Sequence, residues 1–182
     1  MKESILLIAC GMIQDEMSLA LKNTGIKYDT IWMSAELHNN PDLLKQELQK
    51  EIDNHQEYDT ILLGYGNCGK ALIGLRSDHA RLALLRSEDC IQILLHNKEK
   101  LKSIRGETYF ITKGWMMGKK SLKEEYHYAI NKYGPKKAEM IMGIMFKNYK
   151  SLMMIDSGAY NLDDWIHCAR HLSQVLKLDF II

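Results

Sequence analysis

The stretch YDTILLGYGNCGKALIGL, residues 58–75, decides the fold of this 182-residue chain. Its apolar run at residues 60–63 is typical of a buried parallel strand. The run gives way to a loop in which three glycines surround a cysteine: Gly64, Gly66, Gly69 and Cys68. Glycine lets the backbone turn tightly or approach a ligand closely, because no Cβ restricts φ. We therefore predict a strand that ends in a tight loop, with Cys68 at the edge where α/β sheets bind ligands.

Strands and helices are predicted to alternate along the rest of the chain. Other short apolar runs predict strands at residues 4–9, 28–33, 81–85, 108–112 and 152–155. Helical spacing of apolar residues predicts helices at residues 12–22, 42–53, 91–102, 122–132, 136–149 and 162–176. This alternation predicts a three-layer, Rossmann-like α/β fold, with a mostly parallel sheet of about five to six strands flanked by helices. No long linker or repeat interrupts it, so we predict a single α/β domain over residues 1–182.

The composition is that of an ordinary globular protein. Hydrophobic residues make up 46% of the chain and charged residues 26%, and the formal net charge is +1. Such a balance gives no general attraction to nucleic acid or to an anionic membrane, so neither is an expected partner. The apolar residues 4–13 are too few to span a bilayer and lack a signal-peptide cleavage pattern. We predict a cytoplasmic protein with a small-molecule ligand.

Three of the four cysteines and one histidine each follow a predicted strand: Cys10, His38, Cys68 and Cys90. The carboxyl ends of parallel strands share one edge of a sheet, so we expect these side chains to converge there. Thiolate and imidazole together are the ligands that Zn²⁺ prefers, and helix N-termini at Cys10 and Cys90 are expected to favour thiolates. The sequence therefore predicts a zinc site formed by these four residues. Iron or an iron–sulfur cluster on the same thiolates is an alternative metal centre.

Two other kinds of site use the same residues. A metal-free enzyme would employ Cys68 or Cys90 as nucleophile and His38 as base. A non-catalytic binding module would use its glycine loop to hold an anion or a corrinoid tail. The residues predicted to contact such a ligand are Gly64, Tyr65, Gly66 and Gly69.

The acidic pair beside Cys90 also allows several interpretations. Glu88 and Asp89 fit a metal ligand, an acid–base pair or helix caps, and a cap is the favoured interpretation of Asp89. Because the residue pattern alone does not identify a substrate, no catalytic residue is assigned.

Several segments together resemble domain-of-unknown-function family 1638, found in anaerobic bacteria and archaea. The matching segments are residues 8–10, 37–41, 58–75, 88–91 and 112–115. This chain has Glu88-Asp89-Cys90 where the family commonly has His-Asp-Cys. The resemblance implies an association with corrinoid-dependent methyltransferase systems. A corrinoid protein or a methyltransferase is then an expected partner, and assistance to methyl or thiol transfer in one-carbon metabolism an expected role.

Overall fold

The chain divides into two units, each with its own parallel sheet. A computed structural model describes residues 3–95 and 98–182. The first unit is Met1–His96 and the second is Asn97–Ile182. The predicted α/β fold, with parallel strands flanked by helices, is confirmed, but the strands form sheets of four and three. The prediction of a single domain over residues 1–182 stays a prediction.

The first unit is built on four parallel strands in the order β2-β1-β3-β4. The strands are β1 (Ile5–Cys10), β2 (Asp29–Met33), β3 (Thr60–Gly64) and β4 (Arg81–Leu84). The helices are α1 (Gln14–Thr24), α2 (Pro41–Asn54) and the short α3 (Cys90–Leu94). The chain runs from β1 outward to β2 and then returns to place β3 on the other side of β1. Such a reversal of strand order is a topological switch point, where α/β sheets leave a crevice beyond the strand ends.

The core of the first unit follows from its apolar pattern. Residues 6–10 of the central strand β1 are all buried, because both faces of the strand are covered. Helix α2 packs through Leu44, Leu48 and Ile52, which recur at every fourth position and are at most 1% exposed. The helix begins at Pro41, and the Asn40 side chain accepts a hydrogen bond from the Leu43 N–H at 3.1 Å. The predicted helix at residues 42–53 is therefore confirmed.

The second unit contains three parallel strands in the order β5-β6-β7. The strands are β5 (Thr108–Ile111), β6 (Ser151–Met154) and β7 (Asp179–Ile181). The helices are α4 (Lys98–Ile104), α5 (Lys113–Met117), α6 (Leu122–Tyr133), α7 (Pro135–Met145) and α8 (Asp163–Leu176). Its core is formed by β6 together with apolar faces of α6, α7 and α8.

Three elements differ from the prediction, and one of them is α5, where no helix was predicted. The predicted helix 91–102 is two short helices, α3 and α4; its residues 96 and 97 lie outside the described residues. Strand β7 was not predicted, because its apolar run, residues 180–182, is only three residues long. In the described part of the chain, no helix is both long and apolar enough to span a membrane.

Candidate functional site

The candidate site lies at the switch point, where β1 and β3 end side by side. Cys10 is the last residue of β1, and the glycine loop (residues 64–70) leaves β3 directly beside it. Ala9 pairs with Gly64, and a Cβ on Gly64 would lie 2.8 Å from the Ala9 Cβ. This glycine is therefore required for the two strands to approach each other.

The glycine loop is held against the segment that precedes α3. A Cβ on Gly66 would lie 2.3 Å from the Asp89 Cα, so the two backbones are in direct contact. One residue on, the Asn67 N–H donates a hydrogen bond to the Ser87 carbonyl at 2.9 Å. Asp89 caps α3 by accepting a hydrogen bond from the Gln92 N–H at 3.0 Å, which confirms the predicted cap. These contacts set the position of Cys68 relative to Cys90.

The other side of the glycine loop rests on α2. Gly69 has a φ of +56°, and a Cβ there would lie 2.4 Å from the Pro41 Cγ. Three of the loop glycines thus make room for other parts of the protein, at Ala9, Asp89 and Pro41. The prediction that Gly64, Tyr65, Gly66 and Gly69 bind a ligand stays a prediction.

Cys68 and Cys90 form a hydrogen-bonded thiol pair. The Cys90 S–H and the Cys90 backbone N–H both donate to Cys68 Sγ. The hydrogen bond from the Cys90 thiol lowers the pKa of Cys68 to about 7, because its effect is larger than that of desolvation, which raises the pKa. The same hydrogen bond, followed by desolvation, raises the pKa of Cys90 well above its ordinary value. The pair therefore holds its negative charge on Cys68 and its proton on Cys90.

The third thiol of the site, Cys10, is a neutral neighbour of this pair. Burial raises the pKa of Cys10 to about 11, although the Met12 N–H donates to it and acts in the opposite direction. A charge on Cys68 raises the Cys10 pKa further, so the two thiols interact electrostatically. The expectation that helix N-termini make both Cys10 and Cys90 thiolates is therefore wrong. Desolvation dominates at Cys10, and Cys90 serves as the hydrogen-bond donor at the start of a helix of only five residues.

Two buried polar atoms of the glycine loop lack a hydrogen-bond partner among the described residues: Tyr65 Oη and Asn67 Oδ1. Tyr65 is only 2% exposed. Burial, with smaller contributions from Cys10 and Cys68, raises the pKa of the Tyr65 phenol, so the hydroxyl keeps its proton. Buried polar groups in proteins are almost always paired, so an unpaired donor and acceptor beside a thiolate indicate a place for a polar group from outside the chain. Sequence reasoning singled out Tyr65 but missed Asn67, whose only signal was its place beside Cys68.

His38 lies in a short 3₁₀ helix, Ala35–Asn39, that follows β2 as predicted. Its Nδ1 is hydrogen-bonded to the Ala35 carbonyl, which places the ring proton on Nδ1 and makes Nε2 the basic nitrogen of the neutral ring. This segment neighbours the end of β1, since a Cβ on Gly11 would lie 2.8 Å from the Met33 carbonyl oxygen.

The predicted metal centre requires at least three ligand side chains around one ion. Across residues 3–95 and 98–182, no three His, Cys, Asp or Glu side chains are arranged to hold a metal ion. Cys10, Cys68 and Cys90 interact with one another, whereas a zinc site requires three or four ligands in tetrahedral geometry. The metal prediction for Cys10, His38, Cys68 and Cys90 stays a prediction.

Comparison with known proteins gives one family. The family model described as "Protein of unknown function (DUF1638)" matches residues 32–182. The matched region includes the glycine loop and Cys90 and begins after Cys10. No curated protein and no solved structure matches the chain.

Proposed function

Because the chain belongs to the DUF1638 family, whose description assigns no activity, we propose its function from the site alone: Cys68 is the nucleophile of a cysteine-dependent group-transfer enzyme that acts on an electrophilic small molecule. The observation that carries this proposal is the contact of the glycine loop with the Ser87 and Asp89 backbone, which places Cys68 beside Cys90, whose thiol is hydrogen-bonded to Cys68 Sγ. A thiolate is the nucleophilic form of cysteine, and a positioned donor stabilises it. The neighbouring thiols at Cys10 and Cys90 keep their protons, so the reactive sulfur is Cys68.

The surrounding groups support a division of roles. Attack by Cys68 Sγ on an acyl or alkyl carbon forms a C–S bond and releases a leaving group with its electron pair. Cys90 Sγ–H, one hydrogen bond away, holds a proton that such a leaving group requires. The Tyr65 O–H is a protonated, unpaired donor that would stabilise charge developing on a carbonyl oxygen. Methyl transfer linked to a corrinoid, the role implied by the family resemblance, is the alkyl version of this step.

The proposal predicts a distinctive pH dependence for Cys68. Alkylation of Cys68 by iodoacetamide, followed peptide by peptide with mass spectrometry, is expected to rise with a midpoint near pH 7, because the pKa of this thiol is about 7. An unperturbed thiol titrates at about pH 8.5. Cys168→Ser should behave as wild type, since Cys168 packs against the hydrophobic core of the second unit. A midpoint at or above the ordinary value for Cys68 would contradict the proposal.

A metal assay on the same protein separates this proposal from the zinc prediction. The protein is purified without oxygen and without nickel affinity resin, and zinc and iron are quantified in wild type and Cys68→Ser. One equivalent of metal that is lost in Cys68→Ser, and that shields Cys68 from iodoacetamide until a chelator is added, would replace the nucleophile proposal with the metal centre. Rapid alkylation of Cys68 without chelator supports the nucleophile.

The unpaired Tyr65 hydroxyl gives a stability prediction. Tyr65→Phe removes a buried hydroxyl that has no partner, and an unsatisfied buried group costs about 1–3 kcal/mol. We expect the free energy of unfolding to stay unchanged or to rise by about 1 kcal/mol. Urea unfolding measures it.

Tyr109→Phe is the matched control for this change. Tyr109 Oη accepts a hydrogen bond from Trp115 Nε1–H at 3.0 Å, so its loss should lower the free energy of unfolding by about 1 kcal/mol. If Tyr65→Phe destabilises the protein as much as Tyr109→Phe does, the Tyr65 hydroxyl is paired within the protein and not reserved for a ligand.

A further inference from the structure

The paired sulfurs of Cys68 and Cys90 have a second chemical capability beside attack on carbon. The segments that carry them are in backbone contact, since a Cβ on Gly66 would lie 2.3 Å from the Asp89 Cα, and the two side chains are hydrogen-bonded to each other. The Gly66–Asp89 backbone contact and the hydrogen bond between Asn67 and Ser87 hold the two segments in this relation. Cys68 and Cys90 are both partly exposed, as attack on a dissolved disulfide requires, whereas Cys10 is buried.

We propose that Cys68 and Cys90 are a thiol–disulfide exchange pair, which a low-molecular-weight disulfide oxidises to an intramolecular disulfide. This inference rests on the proposed function, because the same Cys68 thiolate acts as the attacking group. It goes beyond that function, because the product is a bond between two residues of the chain and the oxidant is a disulfide instead of a carbon electrophile.

The exchange proceeds in two balanced steps. Cys68 Sγ⁻ attacks one sulfur of the disulfide RSSR; the Cys68–SR bond forms, the S–S bond breaks, and RS⁻ leaves. Cys90 then gives its proton to a departing thiolate, and its Sγ attacks Cys68 Sγ. The Cys68–Cys90 bond forms and a second RS⁻ leaves. Two cysteine sulfurs are oxidised by two electrons in total, and one disulfide is reduced to one thiol and one thiolate.

The first step itself prepares the second. The largest cause of the raised pKa of Cys90 is its hydrogen bond to Cys68, which favours the protonated form of the donor. Once Cys68 is a neutral mixed disulfide, it no longer carries the charge that keeps the proton on Cys90. Cys10 lacks this advantage, because burial is the main cause of its raised pKa and is unaffected by the first step. The resolving thiol is therefore Cys90, and oxidation removes the nucleophile of the proposed reaction reversibly.

The test uses oxidised glutathione as the probe and the full chain as the protein. Wild type and the variants Cys10→Ser, Cys68→Ser, Cys90→Ser and Cys168→Ser are incubated with it without oxygen, quenched in acid, alkylated and mapped by mass spectrometry. Wild type, Cys10→Ser and Cys168→Ser should each lose two hydrogen atoms and yield a peptide linked through Cys68 and Cys90. Cys90→Ser should accumulate glutathione on Cys68, and Cys68→Ser should leave Cys90 unmodified over the same time.

Two outcomes in the wild-type protein overturn the inference, whatever the variants do. One is a linked peptide that joins Cys68 to Cys10, and the other is a lasting glutathione adduct on Cys68. If Cys68 still alkylates with a midpoint near pH 7 in that case, the proposed nucleophile stands and only the exchange pair is wrong. If the low midpoint is absent too, the proposed function has failed with it.

Discussion

Gly66→Ala is expected to lower the free energy of unfolding of the first unit by about 2–3 kcal/mol, at the upper end of the usual cost of overpacking. The added methyl would lie 2.3 Å from both the Cα and the carbonyl carbon of Asp89 and 2.7 Å from its nitrogen. These are backbone atoms, so no side-chain rotation relieves the clash. One of the two segments must move, and the hydrogen bond from Asn67 to Ser87 is the first contact to break.

The same change should also raise the pKa of Cys68. Separation of the glycine loop from Asp89 carries Cys68 away from Cys90 and removes both donors to its sulfur. Urea unfolding measures the stability, and the midpoint of Cys68 alkylation measures the thiol pair in the same variant. A stability loss with an unchanged midpoint would show that the backbone contact does not position the thiols.

Gly143→Ala is the matched control for this substitution. A Cβ on Gly143 would meet nothing within 4 Å, and the residue lies inside helix α7. Alanine is favoured over glycine in a helix by about 1 kcal/mol, so this variant should be more stable than wild type, with an unchanged midpoint at Cys68. If both substitutions are tolerated equally, Gly66 is not required for the contact with Asp89.

Much of the first unit was predictable because its signals are local. The apolar run of β3 ends at Gly64, and the apolar residues of α2 recur on one face, so each element follows from a short stretch of chain. The gathering of Cys10, Cys68 and Cys90 was predictable by one further rule, that the carboxyl ends of parallel strands share an edge. The N-cap at Asp89 followed from its position before an apolar helix.

The division into two sheets and the protonation of the site were not predictable in this way. Strand pairing depends on contacts between residues far apart in sequence. The local spacing of hydrophobic residues carries no information about those contacts. The thiol chemistry depends on desolvation and on the direction of one hydrogen bond. Cys10 and Cys90 look alike in sequence, each before a helical segment, yet burial fixes the proton on the first and donation to Cys68 fixes it on the second.

Cys90→Ala is expected to move the midpoint of Cys68 alkylation from about 7 towards the ordinary value of about 8.5 or above. The variant keeps the Cys90 backbone N–H and removes only the thiol, which is the largest cause of the low pKa of Cys68. Desolvation of Cys68, which acts in the opposite direction, then dominates. The midpoint is read from the rate of alkylation by iodoacetamide between about pH 5 and pH 10, a range chosen to bracket both values.

The rate of Cys68 alkylation at neutral pH is a less sensitive measure of this hydrogen bond than the midpoint, because two effects of a raised pKa partly cancel. At pH 7 the thiolate fraction of Cys68 should fall about sixteenfold if its pKa rises by about 1.5. A more basic thiolate is also intrinsically more nucleophilic, by about fivefold for that change. The two effects leave a net decrease of only about threefold. A single rate at pH 7 therefore tests the hydrogen bond poorly, whereas the midpoint tests it directly.

Cys90→Ser separates the hydrogen bond from the sulfur atom. Serine still offers an O–H donor at this position, so the midpoint for Cys68 should stay near the wild-type value while the capacity to form a disulfide is lost. The two variants then separate the low pKa of Cys68 from disulfide exchange. Alanine removes both properties, whereas serine removes only the capacity for exchange. If alanine and serine leave the midpoint equally unchanged, Cys90 does not stabilise the thiolate, and the low pKa of Cys68 must come from backbone N–H groups alone.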